Sequence, residues 1–146
     1  MRENDIYIRG DYSLDDLIRS ADFIDLTRQA VNISDMPFRY YYYSYDSSKD
    51  SDFLTREEAA NLILKNLGWE KLINLDIFTT KFADEADFAG GIGGAAILQG
   101  LGVMQGSDGY FYPARSLTYG ETYAIAYELA VMSKDDEPDN GIMPLE

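Results

Sequence analysis

The chain contains no cysteine and no histidine. Disulfide frameworks, thiolate nucleophiles, zinc-thiolate sites and histidine-based triads are therefore excluded. The missing cysteine does not identify a compartment. Positive charge is scarce, with 12 Lys and Arg against 26 Asp and Glu and a formal net charge of −14. Such a balance keeps a protein soluble and opposes generic binding to DNA, RNA or anionic membrane. No apolar run approaches the roughly 20 residues of a spanning helix, so no membrane insertion is expected. Residues 1–6 hold no apolar signal core. The expectation is either a cytoplasmic protein or an excised piece whose export signal lay elsewhere.

What is present is enough apolar material for one core. Forty-six per cent of the 146 residues are hydrophobic, and a chain of this size buries roughly 70% of its unfolded surface. Three segments carry the same helix-start chemistry: Ser13-Leu14-Asp15-Asp16, Thr55-Arg56-Glu57-Glu58 and Thr118-Tyr119-Gly120-Glu121. In each, a hydroxyl can accept from the amide three residues on, while the acid reaches back to the cap amide. Helical spacing follows each: Leu14, Leu17, Ile18 and Ala21; Ala59, Leu62, Ile63 and Leu67, with Gly68 as a stop; and Thr122, Ile125, Ala126 and Leu129.

The remaining segments divide less sharply. Residues 88–101 read either as a glycine-rich buried helix or as a loop to about Gly94 followed by a shorter helix. The tyrosine run at 36–45 has strand propensity, with part of its rings buried, and the acidic run at 46–52 reads as a solvated loop. Residues 69–81 form a connector, and 133–146 an acidic, disordered tail. Gly90-Gly91-Ile92-Gly93-Gly94 lacks the following Lys-Ser/Thr of a phosphate loop. Chance pairs among so many acids do not single out a glycosidase proton donor, and no enzyme, metal or cofactor is expected.

An ordered set of motifs ends the chain: Phe82-Ala83-Asp84, Gly102-Val103 with Gly106, Asp108-Gly109-Tyr110-Phe111-Tyr112-Pro113, and Leu117-Thr118 with Glu121. Together these resemble the S-layer homology family, whose modules anchor bacterial surface proteins noncovalently to cell-wall polysaccharide. Leu54-Thr55-Arg56-Glu57-Glu58 matches the family's last element in full. The resemblance spans residues 82–132, with 54–68 as the end of a preceding unit. It implies a mainly α fold of tandem helix-loop-helix units: a degenerate or partial unit over 1–68, the connector 69–81, and a second unit over 82–132. It departs from the family pattern where Tyr119 replaces the motif arginine and Phe88 stands for the usual tryptophan.

The resemblance implies an extracellular location at the cell wall and an acidic secondary cell-wall polysaccharide as partner, with substituents such as pyruvate ketals. Other units of the same kind, or a second copy of the chain, are further partners it suggests. Carried over residue by residue, the carbohydrate-contacting candidates are Arg56, Asp84, Phe88 and Tyr119. Arg56 offers a bidentate fork to a carboxylate, or else pairs with acids on its own helix surface. Asp84 either caps the unit's first helix or accepts from a sugar hydroxyl. Asp108-Gly109 is expected to form a tight turn. The rival expectation is a protein-interaction or assembly module that keeps the fold without binding sugar.

Overall fold

The structure is a computed structural model that describes residues 10–33, 51–74 and 80–131. They form four α-helices: α1 (Ser20–Ile33), α2 (Arg56–Asn66), α3 (Gly93–Gly100) and α4 (Tyr119–Ala130). Short 3-10 turns occupy Glu70–Leu72 and Glu85–Asp87. Among the described residues there are isolated bridges and no sheet, so the chain is mainly helical. None of the described helices is long and apolar enough to cross a membrane. The tyrosine run at 36–45 and the tail at 133–146 lie outside the described residues.

The starts of α1, α2 and α4 organise the molecule. Each is preceded by three extended residues, and these pair in a cycle: Leu17 with Thr118, Thr55 with Ser116, and Arg19 with Phe53. Ile18, Leu54 and Leu117, the middle residue of each triplet, are buried. A helix begins with amides that have no partner inside it, and here the neighbouring segment supplies the acceptors. Arg56 and Glu57 at the start of α2 donate to the carbonyls of Arg115 (2.8 Å) and Pro113 (3.0 Å). Tyr119 and Gly120 at the start of α4 donate to Asp16 (2.9 Å) and Leu14 (2.8 Å). Ser20 at the start of α1 donates to Asp52 (2.8 Å). The next amides of α2 and α4 are met locally, because Thr55 with Glu58 and Thr118 with Glu121 form complete capping boxes.

The same geometry overturns the first expected helix start. Ser13 and Asp16 make only half of the expected box: the Ser13 amide donates to the Asp16 carboxylate (2.9 Å), but the Ser13 hydroxyl accepts from the Asp15 amide, and the Asp16 amide donates to the Ser13 carbonyl. They close a turn, however, and α1 begins only at Ser20. The Leu14 and Asp16 carbonyls are already taken by α4, so they cannot serve a helix of their own. Leu14 and Leu17 are exposed as a result, whereas α1 buries Phe23, Leu26, Thr27 and Ala30.

Both glycine stops terminate helices as their positions imply. After α2, Gly68 (φ +85°) donates to Lys65, and Trp69 donates across the turn to Leu64 (2.8 Å). After α3, Gly102 (φ +78°) and Val103 repeat the arrangement against Gln99 and Leu98. This pair of backbone hydrogen bonds around a positive-φ glycine is the Schellman motif.

Helix α3 starts at Gly93, so residues up to 92 form the loop of the two readings. The glycines nevertheless serve close packing. A Cβ on Gly93 would sit 2.1 Å from the Leu72 carbonyl oxygen, and one on Gly91 2.2 Å from that of Ile73. Helix α1 lies along α4 and α2 along α3. Phe23, Leu26, Ile63, Leu64, Leu98, Phe111, Leu117 and Leu129 share one core. Full burial of such a side chain is worth roughly 1.5–3 kcal/mol, so apolar burial drives the assembly while the polar seams fix its geometry.

Candidate functional site

The loop from Gln105 to Arg115 gathers most of the expected site residues. At its tip Asp108 (φ 55°) and Gly109 (φ 86°) both adopt positive φ. Ser107 and Tyr110 exchange backbone bonds of 2.8 and 3.0 Å across them. This is the two-residue hairpin turn whose first position Asp tolerates and whose second glycine adopts freely. Beyond the turn Phe111 is fully buried, between Phe82 and Phe88, with ring centroids 5.2 and 5.3 Å away.

Charged side chains hold the Phe111 backbone from both sides. The buried Asp84 carboxylate accepts from the Phe111 amide through Oδ1 and from the Tyr112 amide through Oδ2, both at 2.9 Å. Arg56, only 6% exposed, donates through Nε to the Phe111 carbonyl (2.7 Å) and through Nη2 to that of Gln105 (2.6 Å). Its guanidinium also lies 4.8 Å from the Phe111 ring centroid. Glu57 makes a parallel clamp, accepting from the Ala89 and Gly90 amides at 2.8 Å each.

These contacts revise two expected roles. Asp84 makes no cap bond to the following 3-10 turn; it ties the turn to the distant loop. Arg56 does not rely on acids of its own helix, because carbonyls 49 and 55 residues away take its strongest bonds. Its charge is also met by Glu121, 3.8 Å away. Burial lowers the Arg56 pKa and the Glu121 charge opposes that; Arg115 lowers it further, against Asp84.

Tyr119 stands apart from the other three. Its ring stacks on Tyr12 with centroids 4.1 Å apart, and its hydroxyl donates to Asp22 of α1 (2.5 Å). Burial, and the wish of the Asp22 bond to keep its proton, push its pKa up to about 12. The structure thus brings together Arg56, Asp84 and Phe88 around Phe111 and uses Tyr119 to join α4 to α1.

Two cavities flank the loop. One, of about 330 Å³, is bordered by Arg56, Gln105, Tyr112, Arg115, Glu121 and Glu128 among others. The second, of about 400 Å³, is bordered by Asp84, Asp87, Tyr112, Pro113, Ala114 and Arg115. Arg115 donates to Glu121 (2.6 Å). Burial pushes the Glu121 pKa up, but the bonds from Arg115 and the Thr118 amide, with the charges of Arg115 and Arg56, outweigh it and the net shift is downward. Sequence reasoning passed over Arg115 and Tyr112. A signal existed, since Arg115 is the sole base between Lys81 and Lys134.

Neither a protein-family model nor a curated protein matches the chain.

Proposed function

We propose that this protein is a noncatalytic, extracellular anchoring module of the S-layer homology kind that holds an acidic cell-wall polysaccharide. The observation that carries this reading is the cyclic pairing of three helix starts within one chain, with a cavity beside the start of α2, whose first residue is Arg56. The three starts fit tandem units sharing a hub, and residues 82–132 supply the unit that best matches the family pattern. Arg56 and Arg115 border this cavity together with Glu121 and Glu128, in a chain of net charge −14. The guanidinium groups there are the partners this reading gives an acidic ligand.

A cosedimentation assay on purified cell walls tests the reading. Walls carrying their acidic secondary polymer should retain the protein, and walls stripped of it should not. Equal retention on both, or none on either, defeats the anchoring function. The second reading is an assembly module that has kept the fold without the sugar site. It is favoured by the burial of Arg56 and the use of its donors on Phe111 and Gln105. Concentration-dependent self-association without wall binding would favour it.

A further inference from the structure

We infer that Arg115 and Tyr112 form the ligand-contacting pair, with the carboxylate of an acidic saccharide on the Arg115 guanidinium and a sugar ring against the Tyr112 face. This rests on the binding function proposed above and changes which residues perform it. Arg56 is poorly placed to meet a ligand because it is buried and already donates to two loop carbonyls. Its geometry makes it a positioning residue for the loop. Arg115 is different: its side chain is 49% exposed, and its recorded side-chain hydrogen bond is the one from Nη2 to Glu121. A guanidinium carries five N–H donors, which leaves a fork for an incoming carboxylate.

Tyr112 supplies the second half of the site. It is 39% exposed, yet its backbone lies in the left-handed region at φ 60°, which is uncommon outside glycine. Strain of this sort persists only where the surroundings enforce it, and it clusters at ligand clamps. Here Asp84 takes the Tyr112 amide, and the Tyr112 carbonyl accepts from the Arg115 amide (3.1 Å). The second bond holds the two backbones together, and the Arg115 Cζ lies 5.9 Å from the Tyr112 ring centroid. Tyr110, itself exposed, stacks on the Tyr112 ring with centroids 5.7 Å apart. Both cavities are bordered by Tyr112 and Arg115, so one extended ligand can cross from one to the other over this pair. Asp87 on one side and Glu128 on the other offer acceptors to sugar hydroxyls.

The test is a titration with purified acidic cell-wall polysaccharide and with the same polymer after its carboxylates have been reduced to alcohols. Wild type, Arg115→Ala, Arg115→Lys and Tyr112→Gly are compared, with the thermal midpoint of each as the control for folding. Glycine relieves the positive φ, so Tyr112→Gly removes the ring without imposing backbone strain. Wild type should prefer the acidic polymer. Arg115→Ala should weaken that binding about tenfold or more and erase the preference, as expected for losing charge-assisted bonds. Arg115→Lys should recover only part of it, and Tyr112→Gly should bind weakly while melting no lower than wild type. Arg115→Ala or Tyr112→Gly binding as wild type does would overturn the assignment and leave the anchoring function standing. Wild type binding neither polymer would remove both.

Discussion

Asp84→Asn is the sharpest test of how the loop is held. The substitution keeps volume and shape but replaces one of two carboxylate oxygens with an NH2 group. One of the two 2.9 Å bonds, to the amides of Phe111 and Tyr112, must then face donor to donor. Loss of a hydrogen bond to a charged acceptor costs about 1.5–3 kcal/mol, and a buried donor left without a partner costs about 1–3 kcal/mol. These overlap, so the expected loss is about 3 kcal/mol. A helix cap in the same position would be worth only about 1 kcal/mol. The assay is equilibrium unfolding in urea, followed by the single tryptophan, Trp69, which is 6% exposed and so reports on the core. At a urea dependence of about 1.5–2 kcal/mol per molar, the midpoint should fall by about 1.5–2 M with the slope unchanged. A loss of about 1 kcal/mol or less would refute the clamp.

Four other substitutions follow from the geometry. Gly93→Ala should lower the melting temperature, because its Cβ meets the Leu72 carbonyl oxygen at 2.1 Å; Gly100→Ala, with nothing within 4 Å, should raise stability by about 0.5–1 kcal/mol. The folded-state pKa of Glu121 lies below its usual 4.5, so its contribution is present above that pH and lost as pH falls through the depressed value. Urea midpoints measured across that acid range should therefore fall less for Glu121→Gln than for wild type, and superimposable pH profiles would contradict the assignment. Tyr119 is shifted the opposite way, from 10 to about 12, so its contribution is complete below pH 10 and is lost as pH rises toward 12. Tyr119→Phe should flatten that alkaline loss, as monitored by circular dichroism.

The parts of this fold that were legible in the sequence are those settled within a few residues. Thr55 with Glu58 and Thr118 with Glu121 form their capping boxes because both partners lie in one turn. Gly68 and Gly102 stop helices for an equally local reason, a positive φ that glycine accepts. Ser13 with Asp16 shows the limit. The Asp16 side chain makes its expected bond, but whether a helix follows depends on who takes the Leu14 and Asp16 carbonyls, and α4 takes them. The candidate site was legible as a set of residue types and not as roles. Arg56 and Asp84 do converge on one loop, yet each makes its hydrogen bonds to backbone groups of that loop. A motif gives no hint of such partners, because every residue carries the same amide and carbonyl.

The cyclic pairing of helix starts has a kinetic consequence. Helical proteins usually fold fast because their contacts are local. Here Leu17 must find Thr118, and the amides of Tyr119 and Gly120 remain unmet until residues 14–16 arrive. The last seam thus joins the two ends of the described chain, and its closure entropy must be overcome before the reward is collected. The molecule combines helical secondary structure with long-range pairing that closes in a cycle. Its refolding rate should resemble that of small β proteins, in milliseconds to seconds, and its helices should form and dissolve as one unit.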